Sequence, residues 1–430
     1  MQKKYDTYKD SGIEWIGEVP SHWEILSIKH CISIAKGTKP KDLTDENTGF
    51  PYLTMDYLRS RDGKITMYPT STEGLDLIDD NEILVLWDGA NAGEYLLSKK
   101  GYIGSTMAKI SVDSSMYDKV YFYLLMKAIE QVSKDYANGT TIPHFDNTVL
   151  TDYNYPCPPL FEQRAIAEFL EEKCGKADEL IADLEQQEKD LTAMKKSEIS
   201  RVVTKGLNPN APFKDSGIEW IEKMPEHWEV KRLRYMGHTQ NGLSKDGSYF
   251  GSGYPFVTYG DVYNNIILPT VGSGLAKSTE SDQQLYSVER GDVFFTRTSE
   301  TIEEIGYCST CLETIPQATF SGFLIRFRPD KDDLLPEFSA YYFRSDLHRR
   351  FFVKEMNSVT RASLSQNLLK NLPILLPPKD EQNQIAVYLD SYCQKVDKTI
   401  FEIKEQIADL KLYKQSLISE AVTGKVKVTD

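Results

Sequence analysis

At 430 residues, 40% of them hydrophobic and 27% charged, the chain is long enough for at least two domains with separate cores and too apolar to be disordered. Its formal net charge of -14 runs against a freestanding nucleic-acid binder, which normally carries a basic excess. No stretch approaches the ~18 uncharged apolar residues of a membrane helix, and the charged opening MQKKYDTYKD lacks a signal-peptide core, so a cytoplasmic protein is expected.

In chain order, the first feature is a motif in residues 1–23 that the chain writes twice. KDSGIEWI at 9–16 returns at 214–221, and Lys9 to Glu24 matches Lys214 to Glu229 at 12 of 16 positions, including Trp15 with Trp220 and His22-Trp23 with His227-Trp228. A block at 24–157 follows, and its counterpart lies at 229–376. NEILVLWDG and RGDVFFTRT read as matching buried strands ending in polar loops, followed by STMAKISV and FSGFLIRF, so each block is expected to hold strands, turns and one helix. The third feature starts at PPLFEQRAIAEFL (158) and recurs at PPKDEQNQIAVYL (377), a spacing of 219 rather than 205. The segments 158–207 and 377–430 read as long helices of about 60 Å each. Val396, Ile400, Ile403, Ile407, Leu410, Lys414 and Leu417 trace a coiled-coil seam that Ala177, Ile181, Leu184 and Leu191 echo, with Glu188 and Lys414 as its polar positions. Gly206 and Gly424 stand where those helices should stop. With the second motif at 208–228, the chain divides into six segments arranged as motif, block and helix, twice.

Chemistry-bearing motifs are sparse. The six cysteines are scattered and only Cys308 and Cys311 form C-x-x-C, without a second ligand pair, so buried or idle thiols are expected and no metal. The six histidines form no H-E-x-x-H. YFGSG at 249–253 is similar to the glycine loop of DNA methyltransferases, but no [ND]-P-P-[YFW] accompanies it, and a turn between strands is the plainer reading. GLAKST lacks the second glycine of a phosphate-binding loop.

The two copies of (Y/F)KDSGIEWI…P-x-HWE and the PP-x-x-EQ-x-x-IA opening of each helix resemble the specificity subunit of Type I restriction-modification systems (HsdS). The resemblance covers nearly the whole chain. It implies an α+β fold with two similar target recognition domains, β-rich with helices, separated by two long helices packed as an antiparallel coiled coil, an internal pseudo-two-fold repeat. It implies a non-catalytic subunit that reads a bipartite, asymmetric site on double-stranded DNA. Two modification (methyltransferase) subunits would carry S-adenosylmethionine, and up to two restriction (translocase/nuclease) subunits would use ATP and Mg. No cofactor is expected on this chain. Base edges are read by polar side chains from loops at strand ends, which selects Thr38, Lys39, Lys41, Asn91, Thr140 and Thr141 in the first block. In the second it selects Gln240, Asn241, Ser244, Lys245, Arg297, Thr298, Ser299, Thr360 and Arg361. The repeated Trp15, Trp23, Trp220 and Trp228, with Glu162-Gln163 and Glu381-Gln382, are expected to form scaffold or partner joints, because a base reader should differ between unlike half-sites. Two other readings stay open: a stand-alone methyltransferase or nuclease with a dispersed active site, and a coiled-coil adaptor that binds proteins only.

Overall fold

The computed structural model describes residues 4–60, 66–137, 143–298, 305–345, 347, 350–352 and 363–429. The chain forms two compact units, Met1–Glu185 with Lys404–Asp430, and Gln186–Ile403. Each holds a four-stranded antiparallel sheet. In the first unit the strands are β1 (Ile32–Lys36), β2 (Ile83–Leu86), β3 (Tyr95–Leu97) and β4 (Met107–Val112), in the order β1-β4-β2-β3. In the second they are β5 (Gly237–Asn241), β6 (Val293–Thr296), β7 (Cys308–Thr310) and β8 (Leu324–Pro329), in the order β5-β8-β6-β7. The repeat seen in the sequence is therefore a repeat of topology.

Both faces of each sheet are covered, which is why the central strands read as unbroken apolar runs instead of alternating ones. In the first unit Ile83, Val85 and Ile110 pack with Tyr121, Phe122 and Leu125 of the helix Lys119–Ala128. On the opposite face Leu84, Leu86 and Met107 meet Leu53, Ile78 and Ile103. In the second unit Phe295, Ile325 and Phe327 pack with Phe338, Tyr342 and Phe343 of the helix Pro336–Arg344, while Phe294 and Leu324 face Val257, Val262 and Phe320.

Two details differ from the expectations. Besides its one longer helix, each block carries single-turn helices, Met55–Arg59, Glu130–Asp135 and Thr148–Thr151 in the first, and Tyr259–Asn264, Glu280–Leu285 and Gln366–Lys370 in the second. These are too short to show a 3.6-residue period, and several start on a hydroxyl cap, with Thr54, Thr258, Thr279 and Ser365 each accepting a backbone N–H. YFGSG does not form a turn between strands. It begins the strand Phe250–Val257, where a bulge between Phe250 and Tyr254 absorbs the glycines.

The long helices are α1 (Leu160–Lys205) and α2 (Lys379–Val422), each unbroken. Within the first unit Asp178 of α1 takes Lys414 of α2 at 2.6 Å, and within the second Lys195 of α1 reaches Asp397 of α2 at 2.6 Å. In the second unit Glu198 of α1 also takes the hydroxyl of Tyr388 of α2 at 2.7 Å, so there the α1 number rises as its α2 partner falls and the pairing is antiparallel. Ala177, Ile181, Leu184, Val396, Ile403, Ile407 and Leu417 are buried. Lys414, a seam position in the sequence, spends its charge on Asp178. Each of these partly exposed pairs is worth at most about 1 kcal/mol, so they fix register more than they hold the helices together.

Each helix stops at a glycine in the left-handed region, Gly206 (φ 71°) and Gly424 (φ 74°). A Cβ on Gly424 would lie 2.3 Å from Pro20 Cδ, whereas one on Gly206 would first meet at 2.8 Å the Oε1 of Glu381, the carboxylate oxygen that takes neither Trp228 nor His227. Both Gly→Ala changes incur the left-handed backbone penalty of about 1–2 kcal/mol, and G424A adds an overpacking cost of about 1–3 kcal/mol. G424A is expected to destabilise its unit more than G206A does its own, measured by denaturant-dependent hydrogen exchange resolved by unit, since a two-unit chain has no single unfolding free energy.

Candidate nucleic-acid interface

The Glu-Gln pair one turn into each long helix anchors the rest of its unit. In the first unit Glu162, buried, accepts from Trp23 Nε1 at 2.9 Å and from the Tyr5 hydroxyl at 3.1 Å, and His22 Nε2 lies 2.6 Å away. Burial, reinforced by that carboxylate, pushes the Tyr5 phenol far above its ordinary range. In the second unit Glu381 takes Trp228 Nε1 at 2.9 Å and His227 Nε2 at 2.7 Å, with no tyrosine at the position matching Tyr5, which is Asn210. Trp23 and Trp228 are fully buried. Trp15 and Trp220 are partly buried and pack beside Tyr155 and Phe351.

The neighbouring glutamines reach into the blocks. Gln163 accepts from Asp118 N at 2.7 Å and donates to the Met116 and Pro158 carbonyls at 2.9 and 2.8 Å. Gln382 accepts from Leu335 N at 2.8 Å and donates to the Asp333 and Pro377 carbonyls at 2.8 and 2.9 Å. Both amides are fully buried and satisfied. Each therefore ties the segment just after the last residues of β4 or β8 to a long helix, which leaves the other end of the sheet to face outward.

That outer end is built on one backbone frame in both units. Gly37 N donates to Met107 O at 3.0 Å, as Gly242 N does to Leu324 O at 3.3 Å. A Cβ on Gly37 would sit 2.4 Å from the Gly104 oxygen and one on Gly242 2.2 Å from the Ser321 oxygen, so only glycine permits the approach. Trp87 N to Thr106 O (2.8 Å) matches Arg297 N to Phe323 O (2.9 Å), and Phe145 N to Trp87 O matches Leu364 N to Arg297 O, both 2.7 Å. Bridges join Asp88 to His144 and Thr298 to Ser363.

The side chains on this frame are unlike. In the first unit Asp88 takes Lys36 at 2.8 Å and His144 Nδ1 at 2.6 Å, and the Lys36 ammonium lies 5.6 Å from the centre of the Trp87 ring. Burial works to raise the Asp88 carboxyl, but Lys36 and His144 outweigh it and hold it below the usual carboxylate value. The stability this lends is complete above the unfolded pKa of about 3.9 and is lost as pH falls through the lowered folded value. In the second unit Arg297, Thr298 and the exposed ring of Phe323 occupy the matching places.

Of the reader residues selected from sequence, Thr38, Lys39 and Lys41 are exposed on the loop after β1, and Asn91 is exposed on the turn after Asp88. Arg297 and Thr298 fall at the outer end itself, as do Ser244 and Lys245 on the loop after β5, where the Lys245 ammonium lies 5.6 Å from the Tyr249 ring centre. Gln240 is engaged inward, accepting from Arg326 and donating to Leu285 O at 3.1 Å. Asn241 Oδ1 is buried with no hydrogen-bond partner among the described residues. Thr140, Thr141, Ser299, Thr360 and Arg361 lie outside the described residues. Sequence reasoning passed over Lys36, Asp88, His144 and Phe323. Aligning WDG with TRT places Asp88 opposite Arg297, one residue off the frame in which Asp88 matches Thr298, and nothing local marks His144 or Phe323.

The model of the "Type I restriction modification DNA specificity domain" family matches residues 20–190 and 225–409. The chain is 30% identical over 417 residues to the Type I restriction enzyme MjaVIII specificity subunit of Methanocaldococcus jannaschii, covering 95% of this chain and 94% of that one. It is 21% identical to the EcoBI specificity subunit of Escherichia coli, over 97% and 89%. Among solved structures, a chain from a type I R-M system described for its complex assembly and conformational transition superposes with a TM-score of 0.69 at 18% identity, covering 94% of this chain and 98% of that one. The HsdS subunit of Thermoanaerobacter tengcongensis gives 0.50 at 18%, over 95% and 98%. This chain belongs to the family of type I restriction-modification DNA specificity subunits. Among the described residues no helix is long and apolar enough to cross a membrane.

Gln163→Glu would put a carboxylate where two carbonyls need a donor. The expected cost is about 3–5 kcal/mol, felt in the first unit, and Gln382→Glu should do the same to the second. Hydrogen exchange that reports equal loss in both units for either variant would contradict this assignment of the glutamines.

Proposed function

We propose that this chain is the non-catalytic recognition subunit of a type I complex, with each unit reading one half of a bipartite, asymmetric DNA site and the α1/α2 pair setting the unread spacer. The observation that carries this reading is the outer frame built twice with the same backbone bonds and different side chains. A scaffold kept constant while its polar tips change is what two unlike half-sites require, because the major groove distinguishes base pairs by donor and acceptor pattern. Two methyltransferase subunits bearing S-adenosylmethionine are the partners proposed for modification of adenine, with ATP- and Mg-using restriction subunits joining for cleavage. The Trp15, Trp23, Trp220 and Trp228 joints are proposed to support that docking. With its net charge of -14, the isolated chain should bind its site weakly and lose that binding steeply with salt, the phosphate contacts coming in part from the partners.

Coexpression with a cognate methyltransferase subunit, followed by mapping of N6-methyladenine, tests this directly. Exchanging residues 24–157 for the same block of a relative should change one half-site and leave the other. Inserting one heptad at facing positions of both α1 and α2 adds about 10 Å, so the spacer should grow by about 3 base pairs. An unchanged spacer in an assembled, active complex defeats the ruler. Methylation of DNA by the isolated chain with S-adenosylmethionine would favour the enzyme reading instead.

A further inference from the structure

In the second unit Phe323 exposes its ring at the outer end of the sheet. Phe323 is 62% exposed, while Phe320, Leu324 and Ile325 around it in sequence are fully buried. Single exposed phenyl rings are ordinary on protein surfaces, but this one is held in place. Its N–H donates to Ser321 Oγ at 3.3 Å and its carbonyl accepts from Arg297 N at 2.9 Å. Gly322 beside it donates to Leu243 O at 2.9 Å, and Leu324 N to Ser321 O at 2.9 Å. The backbone turn that carries the ring is therefore fixed by four hydrogen bonds, and little backbone entropy is left to lose when the ring meets a ligand.

Its partner across the sheet is Arg297. The β6–β8 register ends with Thr296 opposite Leu324, and the Arg297–Phe323 bond extends it by one residue. Residues directly opposite on an antiparallel pair send their side chains to one face with Cβ atoms about 5 Å apart. The Arg297 guanidinium makes no ion pair among the described residues. A forked donor and a fixed apolar disc thus stand side by side at the outer end of the sheet. Ser244 lies against the same turn, since a Cβ on Gly322 would lie 3.2 Å from the Ser244 Cβ.

Resting on the recognition function proposed above, we infer that Arg297 and Phe323 read two adjacent base pairs of the second half-site in the major groove, guanine by Arg297 and the 5-methyl group of thymine by Phe323. Guanine O6 and N7 match the arginine fork, and the thymine methyl is the apolar feature of the groove that a phenyl ring can cover. The spacing suits neighbouring base pairs, which stack about 3.4 Å apart. The first unit has Thr106 at the place of Phe323 and Trp87 at that of Arg297, so its half-site should not share this dinucleotide.

The test uses the full chain assembled with its methyltransferase partner. For Phe323→Ala, the mapped motif should keep the whole first half-site and the guanine of the second, and relax at one A·T position next to that guanine. Independently of any variant, duplexes carrying deoxyuridine in place of each thymine of the second half-site remove only the methyl group. The wild-type complex should bind about fourfold more weakly at one such position, as expected for one lost methyl contact, and the F323A complex should not distinguish the two duplexes. An F323A motif identical to the wild type, or equal deoxyuridine sensitivity in both complexes, overturns the inference while leaving the recognition function in place. A wild-type complex that methylates without sequence preference overturns both.

Discussion

The structure depends on a two-residue decision made one turn into each long helix. Glutamate looks toward the repeated N-terminal motif and collects a buried indole N–H and an imidazole. Glutamine looks toward the recognition block and closes two hydrogen bonds to its backbone and a third to the proline carbonyl at the helix entry. An ionised acceptor and a neutral donor-acceptor are not interchangeable here, because Trp23 and Trp228 can only donate, while the carbonyls of Met116 and Asp333 can only accept. With Glu162 and both glutamines buried and Glu381 partly so, an error at these positions leaves unpaired polar groups in a site of lowered dielectric. The motif, the helix and the block therefore form one joint within each unit.

That joint separates what must stay constant from what can vary. It grips the sheet at the inner end, through Asp118 and Leu335, the residues that lead into the helices Lys119–Ala128 and Pro336–Arg344. The outer end is held by main-chain bonds and by glycines at 37 and 242. Backbone-made frames tolerate side-chain exchange, since no bond that builds them is lost when Asp88 is matched by Thr298 or Thr106 by Phe323. Each frame carries a cation and an aromatic residue, Lys36 over the Trp87 ring in one unit and Arg297 bonded through its backbone to Phe323 in the other.

Much of this was legible in the sequence because it was written twice. Two offsets, 205 and 219, separate scaffold from insert and reveal the longer second block without any structure. Unbroken ILVL and VFFT runs marked the central strands, and the heptad pattern marked the helices. What could not be read were contacts between distant segments. His144 reaches Asp88 across 56 residues, and Phe323 reaches Arg297 across 26. Gln240 makes a further contact that the sequence did not show. Its polarity and its place at a strand end suggested an outward reader, but the buried Arg326 needs an acceptor there, and the amide turns inward to supply it.

The buried Arg326 also bears on how an acidic chain can present a basic tip. Burial lowers its pKa, and Asp292 and Glu289 nearby work against that, with Arg328 bound to Asp292 through two nitrogens at 2.6 Å. These carboxylates compensate interior arginines and add little repulsion at the outer end, where Arg297 and Lys245 stand. In the first unit Glu130 is likewise spent on Lys127 and Lys134, and Glu82 on Lys109 and Lys119. Such pairs cancel in the net charge and leave the excess of -14 on other carboxylates, while a phosphate approaching the outer end meets mainly the local field, which screening confines to within about 8–10 Å. The formal charge of -14 is thus a statement about long-range attraction, and the side chains at the two sheet ends decide what is recognised at contact.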